Sequence, residues 1–124
     1  MKEEKKDLTK QANKVLNVVL PNEYPFIESV VVNDCTYTKR NKFADNKYYL
    51  FEEKLNLDVK INIPITMLPQ DVIERGRIDV YEFEEAFGKN IDIKIDGTIL
   101  KALNLLGIYI TSFDRTGETD FDFV

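Results

Sequence analysis

The chain has 124 residues, 44% of them hydrophobic, and its formal net charge at pH 7 is −5. This length and hydrophobic content predict a single globular domain over residues 1–124 and exclude a disordered chain. There is no histidine and one cysteine, Cys35. Histidine-based catalysis, histidine-based metal sites and multi-thiolate zinc sites are therefore excluded within one chain, and we expect neither a metal nor a cofactor.

The first predicted element is a helix from Lys2 to Leu20, because apolar residues recur there at helical spacing while lysines lie on other faces. Pro21 and Pro25 are expected to end this helix and to begin a turn. Residues 26–38 are rich in β-branched side chains and predict a strand. The polar segment 39–47 that follows predicts a turn.

The clearest periodicity lies in residues 55–63, where apolar and polar side chains alternate strictly. This pattern predicts a half-buried strand with one face in the core and one in solvent. Tyr49 and Phe51 fall on the same side of this alternation as the apolar residues of 55–63. The segment from residue 48 is therefore either one long bent strand or two strands joined at Glu52-Glu53.

Residues 68–76 predict a short helical turn. A longer helix is expected after Asp79, because Asp79 and Glu82 have the spacing of a capping box and Gly88 suits the position after the helix.

Residues 90–95 alternate and predict a strand, followed by a tight turn at Asp96-Gly97. Residues 98–107 favour a helix, with a returning hairpin strand as the alternative. Residues 108–113 predict a final strand.

This order of elements predicts an α+β domain with an antiparallel or mixed sheet, an N-terminal helix and one or two further packed helices. It also fits a five-stranded Greek-key barrel of the oligonucleotide-binding kind.

A segment around the first predicted turn combines aromatic and basic residues. Single-stranded nucleic acids are bound by such combinations, because bases stack on aromatic rings while cations contact phosphates. The candidate nucleic-acid-binding residues are Tyr37, Lys39, Arg40, Lys42, Phe43, Lys47 and Tyr48. The alternative is an exposed basic loop whose aromatic residues point into the core.

The last residues, 116–124, form a candidate acidic C-terminal tail. Asp120, Phe121, Asp122 and Phe123, with the terminal carboxylate, resemble the tails of bacterial and phage single-stranded-DNA-binding proteins. The resemblance implies that these residues bind a protein partner. The alternative is an edge strand with both phenylalanines facing the core.

Strand pairing is expected to fail around Thr116-Gly117, where glycine relaxes the backbone. Phe121 and Phe123 would then share one face, which should dock on the same domain or on a partner.

One enzymatic hypothesis survives the composition. Asp58 with Lys60, and Asp92 with Lys94, have the acid-x-lysine spacing that resembles magnesium-dependent nucleases of the restriction-enzyme type. For the second pair, Asp71 and Asp79 are the upstream candidates. Alternation in any strand rich in lysine and aspartate produces the same spacing, so we expect a protein that is not an enzyme.

The sequence leads to a non-enzymatic, nucleic-acid-associated binding protein that prefers single strands and binds a protein partner through its acidic tail. The alternative is a protein-binding inhibitor or adaptor, of the kind that phages and mobile elements encode, which uses its acidic second half. The lone cysteine and the absence of a long apolar segment predict a cytoplasmic protein without a membrane partner.

Overall fold

The computed structural model describes the backbone of residues 3–44, 48–110 and 113–124, and the side chains of these residues except 41–44 and 48–51. The described elements, in chain order, are β1 (Glu3–Asp7), α1 (Thr9–Glu23), β2 (Ser29–Ala44), β3 (Tyr48–Ile63), a 3-10 turn (Ile65–Met67), α2 (Gln70–Arg75), α3 (Val80–Phe87), α4 (Ile91–Leu105), β4 (Asp114–Thr116) and β5 (Thr119–Phe123).

The five described strands form one mixed sheet. β1 pairs with β2, and β2 with β3, in antiparallel fashion. β4 and β5 run parallel to β3 and occupy successive parts of its other edge, at Lys54–Asn56 and Val59–Ile63. The α+β class with a mixed sheet is therefore confirmed. The barrel alternative is wrong, because β1 and β5 lie at opposite edges of the described sheet and leave it open.

The core is built on one face of β3. The alternation predicted for residues 55–63 is confirmed, since the five apolar residues of this segment are at most 1% exposed. Helices α1 and α4 contribute the facing apolar residues Ala12, Leu16, Leu20, Ile91, Ile95, Ile99 and Leu103.

A β-bulge between Val32 and Asp34 changes the phase of β2. Val30 and Val32 are buried before the bulge, and Cys35 and Tyr37 are buried after it. The extra residue therefore lets both halves of a long strand face the same core.

The N-terminal prediction was partly wrong. Residues 3–7 form β1 instead of helix, and α1 begins at Thr9, where the carboxylate of Asp7 accepts hydrogen bonds from the Thr9 N–H (3.0 Å) and Oγ1 (2.6 Å). Pro21 lies within the last turn of α1 and does not end it. The charged segment of β1 has no apolar face, so its pairing with β2 leaves no periodicity in the sequence.

Polar side chains of α1 close the part of the β2 edge that β1 does not cover. The side-chain amide of Asn17 donates to the Val30 carbonyl (2.6 Å) and accepts from the Val30 N–H (2.9 Å). Asn13 Oδ1 accepts from the Val32 N–H (3.2 Å), and Thr9 Oγ1 from the Cys35 N–H (3.1 Å). The helix thus takes the place of a neighbouring strand.

The second half contains the largest correction. Of residues 90–97, predicted as a strand and a tight turn, Asn90 caps α4 and the others belong to it. Ile91, Ile95 and Ile99 recur every four residues and are at most 2% exposed, whereas Ile93 is 71% exposed. The alternation in the sequence therefore combines the buried face of a helix with one exposed isoleucine. The predicted helix within 98–107 is confirmed as the last part of α4.

The capping box of α3 is confirmed, since Asp79 Oδ1 accepts from the Glu82 N–H (2.8 Å) and Gly88 ends the helix with a φ of 75°. The short helical turn predicted in 68–76 is α2.

The final strand predicted for 108–113 is wrong for its described part. Residues 108–110 and 113 lie outside the strands, and 111–112 lie outside the described residues. Ile108, Ile110 and Phe113 pack on the core from a connection, and pairing with β3 begins at Asp114.

Candidate functional site at the open edge of the sheet

The outer edge of β5 is open, because within the described residues no strand pairs with β5 on the side away from β3. The Val59 N–H donates to the Glu118 carbonyl (3.0 Å), and the Val124 N–H donates to the Ile63 carbonyl (2.9 Å). Successive peptide groups in a strand point to alternate sides. The N–H and C=O groups of Thr119, Phe121 and Phe123 therefore face away from β3.

The two faces of β5 differ sharply in chemistry. Asp120 and Asp122 are exposed on the polar face of the sheet, where Asp122 Oδ2 lies 3.4 Å from Lys60 Nζ. Phe121 and Phe123 lie on the core side and are half-buried. The ring of Phe121 stacks on Phe83 of α3, with centroids 5.2 Å apart and planes at 16°. The predicted common face of the two phenylalanines is confirmed, and it docks on its own domain.

The C-terminal segment is thus an edge strand and not a free tail. Pairing is interrupted at residues 117–118, next to the predicted break, but it resumes in β5. Partner binding through Asp120, Phe121, Asp122 and Phe123 stays a prediction.

Gly117 makes the interruption possible. Its φ is 92°, and a Cβ atom at this position would lie 2.5 Å from the Leu57 carbonyl oxygen and 2.8 Å from Asp58 Oδ1. The next peptide N–H, that of Glu118, donates to Asp58 Oδ1 (3.0 Å). Only glycine fits this close approach with a left-handed backbone.

An acidic cleft of about 580 Å³ lies between the start of β5 and the start of α3. Arg115 is the one cation among the described residues that line this cleft, and Tyr81 at its wall is 80% exposed. The carboxylates in the lining are Asp79, Asp92, Asp96, Glu118 and Asp120.

Arg115, the cation of the cleft, forms hydrogen bonds with other groups of the same chain. Arg115 Nη1 donates to Asp92 Oδ1 (3.0 Å) and Asp96 Oδ1 (3.2 Å), and Nη2 donates to Thr119 Oγ1 (2.6 Å) and the Leu57 carbonyl (3.4 Å). Its side chain is 12% exposed. This network joins α4 to β3, β4 and β5, so it fixes the cleft wall and leaves the guanidinium little capacity for an external anion.

The pKa of Asp96 is raised above its ordinary value, chiefly because burial disfavours the charged carboxylate. The positive charge of Arg115 opposes this shift, and the negative charge of Asp92 adds to it.

The predicted nucleic-acid-binding residues do not form one described surface. Tyr37 is 3% exposed and belongs to the core, so its ring is not available for stacking on a base. Lys39 and Arg40 are neighbours in β2 and point to opposite faces, and Arg40 lines a polar cleft of about 410 Å³ with Glu3 and Glu52. The side chains of Lys42, Phe43 and Tyr48, and the whole of Lys47, lie outside the described residues.

Only one of the two acid-x-lysine pairs has the shared strand face that motivated the nuclease hypothesis. Asp92 and Lys94 lie in α4, where residues two apart point to nearly opposite sides. Asp58 and Lys60 do share a strand face, but they contact the Glu118 N–H and Asp122 instead. The described residues contain no group of three or more acidic or cysteine side chains arranged to hold a metal ion.

Cys35 is buried in the core, and burial raises the pKa of its thiol to about 12, with the charges of Asp34 and Asp7 adding to the shift. The thiol is therefore protonated near neutral pH.

Sequence reasoning missed the Arg115 network. The feature of the sequence that indicates this network is the four-residue spacing of Asp92 and Asp96, which places both carboxylates on one side of a helix. The strand predicted for residues 90–95 concealed this, because the spacing indicates a shared helix side only where the segment is helical.

The chain matches no protein-family model, no curated protein and no solved structure in the comparisons made with it. Within its described part, none of the helices is both long enough and apolar enough to span a membrane.

Proposed function

We propose that the chain is a non-enzymatic protein-binding module, an adaptor or inhibitor that presents its acidic second half to a basic surface of another protein. The observation that carries this proposal is the acidic cleft beside β5, whose described lining includes five acidic residues and one cation, Arg115, which is engaged in internal hydrogen bonds. Residues 61–124 carry 12 Asp and Glu against six Lys and Arg, which extends the same sign of charge over this half.

Electrostatic complementarity supports a basic partner for this cleft. A cleft lined by one sign of charge raises the encounter rate with an oppositely charged surface and rejects surfaces of like charge. Tyr81 supplies an exposed ring at the rim of the same cleft, and tyrosine is enriched at the centre of protein interfaces. Phages and mobile elements encode inhibitors of this kind, and we expect this one to act in the cytoplasm.

The proposal is tested by capturing partners from a nuclease-treated lysate of the source cells with the purified chain. The Glu118→Lys/Asp120→Lys variant reverses two exposed charges at the cleft. Glu3→Lys/Glu4→Lys makes the same change in net charge on the exposed strand β1. We expect a stoichiometric partner that binds the unaltered chain and the β1 variant, and whose affinity for the cleft variant falls at least about ten-fold with purified components. A partner that binds all three chains equally, or the lack of any nuclease-resistant partner, contradicts the proposal.

A second candidate function is binding of single-stranded nucleic acid by the hairpin of β2 and β3. In the described part of the sheet, β1 pairs with β2 as far as Arg40, and β4 begins to pair with β3 at Lys54. Among the described residues, the strand segments 41–44 and 48–51 therefore pair only with each other, as a two-stranded ribbon. Lys42 lies on this ribbon, and basic ribbons are suited to tracking a phosphate backbone.

Titration of labelled oligonucleotides against salt separates the two functions. Nucleic-acid binding predicts the tightest association at the lowest salt, with a loss of affinity in a Lys42→Glu variant and none in Glu118→Lys/Asp120→Lys. No binding at low salt removes this second candidate.

A further inference from the structure

We infer that the partner binds by adding an extended segment to the outer edge of β5, with Lys or Arg at every second position of that segment. This inference concerns how the partner is bound and rests on the proposed protein-binding function.

The backbone of β5 supplies the first part of the argument. The N–H and C=O groups of Thr119, Phe121 and Phe123 face away from β3, and no described strand pairs with them. An extended peptide satisfies such groups by continuing the ladder, and main-chain hydrogen bonds then supply much of the affinity. The rest of β5 is held in place by pairing with β3 and by the Phe121–Phe83 stack, so the edge is already formed before a partner arrives.

The polar face of β5 selects the charge of the added strand. Lys60, on the inner neighbour β3, already pairs with Asp122. A strand on the outer side places its own alternate side chains beside Asp120 and Asp122 in the same way, where cations are stabilised and carboxylates are repelled. The residues between them lie on the core side, next to the half-buried Phe121 and Phe123, and are best apolar.

The same charges disfavour a second copy of this chain as the occupant. Two β5 strands paired edge to edge would place Asp120 and Asp122 of one copy beside the equivalent carboxylates of the other on one sheet face. Like charges in directly opposed positions destabilise a strand pair. The occupant is therefore a different protein with a basic, alternating segment.

The probe is an acetylated and amidated peptide, Val-Lys-Val-Lys-Val, with a matched Val-Glu-Val-Glu-Val peptide. Two further versions of the lysine peptide carry N-methyl groups on the valine amides or on the lysine amides. In an added strand only one of these two sets of amides faces β5: the valine set in an antiparallel arrangement, the lysine set in a parallel one. Affinities are measured by titration calorimetry or fluorescence, and protection of the three outward N–H groups by hydrogen exchange.

We expect the lysine peptide to bind and to protect the N–H groups of Thr119, Phe121 and Phe123. One methylated version should lose at least about ten-fold in affinity while the other changes less than about three-fold. Asp120→Lys/Asp122→Lys should lose the lysine peptide and gain the glutamate peptide. Glu3→Lys/Glu4→Lys on β1 should behave as the unaltered chain. Circular dichroism checks that each variant is folded, and Asp122→Asn provides a milder second variant.

Three outcomes overturn the inference. Equal affinity for both methylated peptides means that charge alone attracts the probe, which leaves the acidic protein-binding proposal standing without edge pairing. No binding by any peptide also removes edge pairing, and the capture experiment with Glu118→Lys/Asp120→Lys then decides the proposed function separately. A concentration-dependent dimer of the chain, disrupted by the lysine peptide, assigns the edge to a second copy.

Discussion

The two outer edges of the sheet are built in opposite ways. All five residues of β1 are exposed and charged, with both signs present and charged side chains on both faces of the strand. β5 places carboxylates on one face and phenylalanines on the other, and the phenylalanines pack on the core. Both strands pair with a neighbour on one side, and in the described sheet neither has a second neighbour.

The difference shows two uses of charge at a sheet edge. Charged side chains of both signs, including lysines, deter a further strand from pairing with β1 whatever its charge. Charge of a single sign on one face of β5 excludes an identical or acidic strand and accepts a basic one. The edge of β1 is thus closed to strands in general, whereas that of β5 is selective.

The largest expected effect comes from Gly117, because it permits β5 to follow β4 along β3. Gly117→Ala places a Cβ atom against the Leu57 carbonyl oxygen and forces a residue other than glycine to adopt a φ of 92°. Overpacking and backbone strain together should lower the free energy of unfolding by about 3 kcal/mol, as measured by urea denaturation.

Gly97→Ala is the matched control. Gly97 lies inside α4, and nothing lies within 4 Å of a Cβ atom there. Alanine should stabilise the helix by about 0.5–1 kcal/mol. If both variants shift stability in the same direction, the close approach at Gly117 does not govern the docking of β5.

The next-largest change in stability is expected from the central residues of the two edge strands, Phe121 in β5 and Lys5 in β1. Phe121→Ala removes the stack on Phe83 and should lower the free energy of unfolding by about 2–3 kcal/mol. This loss is smaller than that for a fully buried phenylalanine, because Phe121 is half-buried. Lys5→Ala, on the exposed strand β1, should change stability by less than about 0.5 kcal/mol. Thermal and urea denaturation check both values. Similar losses at the two sites would mean that both edges depend equally on their side chains.

A smaller effect is expected where α1 closes the edge of β2. Asn17→Ala removes both hydrogen bonds to the Val30 peptide groups, and should cost about 1 kcal/mol relative to Gln11→Ala at an exposed position of the same helix. Hydrogen exchange at the Val30 N–H should become faster in the Asn17 variant alone. Unchanged exchange would show that this bond does not protect the edge.

The smallest effect is a pH dependence from Asp96. Because its pKa is raised above 3.8 in the folded state, the folded chain holds this proton more tightly than the unfolded chain does. The contribution of Asp96 to the free energy of unfolding therefore falls as pH rises through the window above 3.8. The stability of the unaltered chain relative to Asp96→Asn should decline as pH rises above 3.8. Asp114→Asn, at an exposed carboxylate of β4, controls for the exchange of acid for amide, and a constant difference for Asp96→Asn would refute the assignment.

Local chemistry made part of the fold predictable. The alternation in β3 and the capping box of α3 each depend on neighbouring residues, and both were predicted correctly. The prediction for α4 failed because Ile91, Ile93 and Ile95 fit a strand as well as a helix. Only the position of the core, which buries Ile91 and Ile95 and leaves Ile93 exposed, decides between them.

The candidate site was predictable only in its outline. The separation of Asp120 and Asp122 from Phe121 and Phe123 follows from the two-residue period of a strand. That this strand lies at an open edge depends on β3 pairing with residues 60 positions further along the chain, and no local pattern reports such a contact. The Arg115 network likewise depends on contacts with Asp92, 23 positions away.

The sequence distance between β3 and its parallel partners also sets the order of events during synthesis. The hairpin of β2 and β3 joins neighbouring segments, whereas Val59 can pair with Thr119 only after Thr119 has been synthesised. At typical elongation rates of about 5–20 residues per second, the chain from Val59 to Thr119 takes about 3–12 s to complete. During that interval the apolar residues of β3 have an unpaired edge, so a nascent chain is most exposed to aggregation, and most dependent on chaperones, before β5 is made.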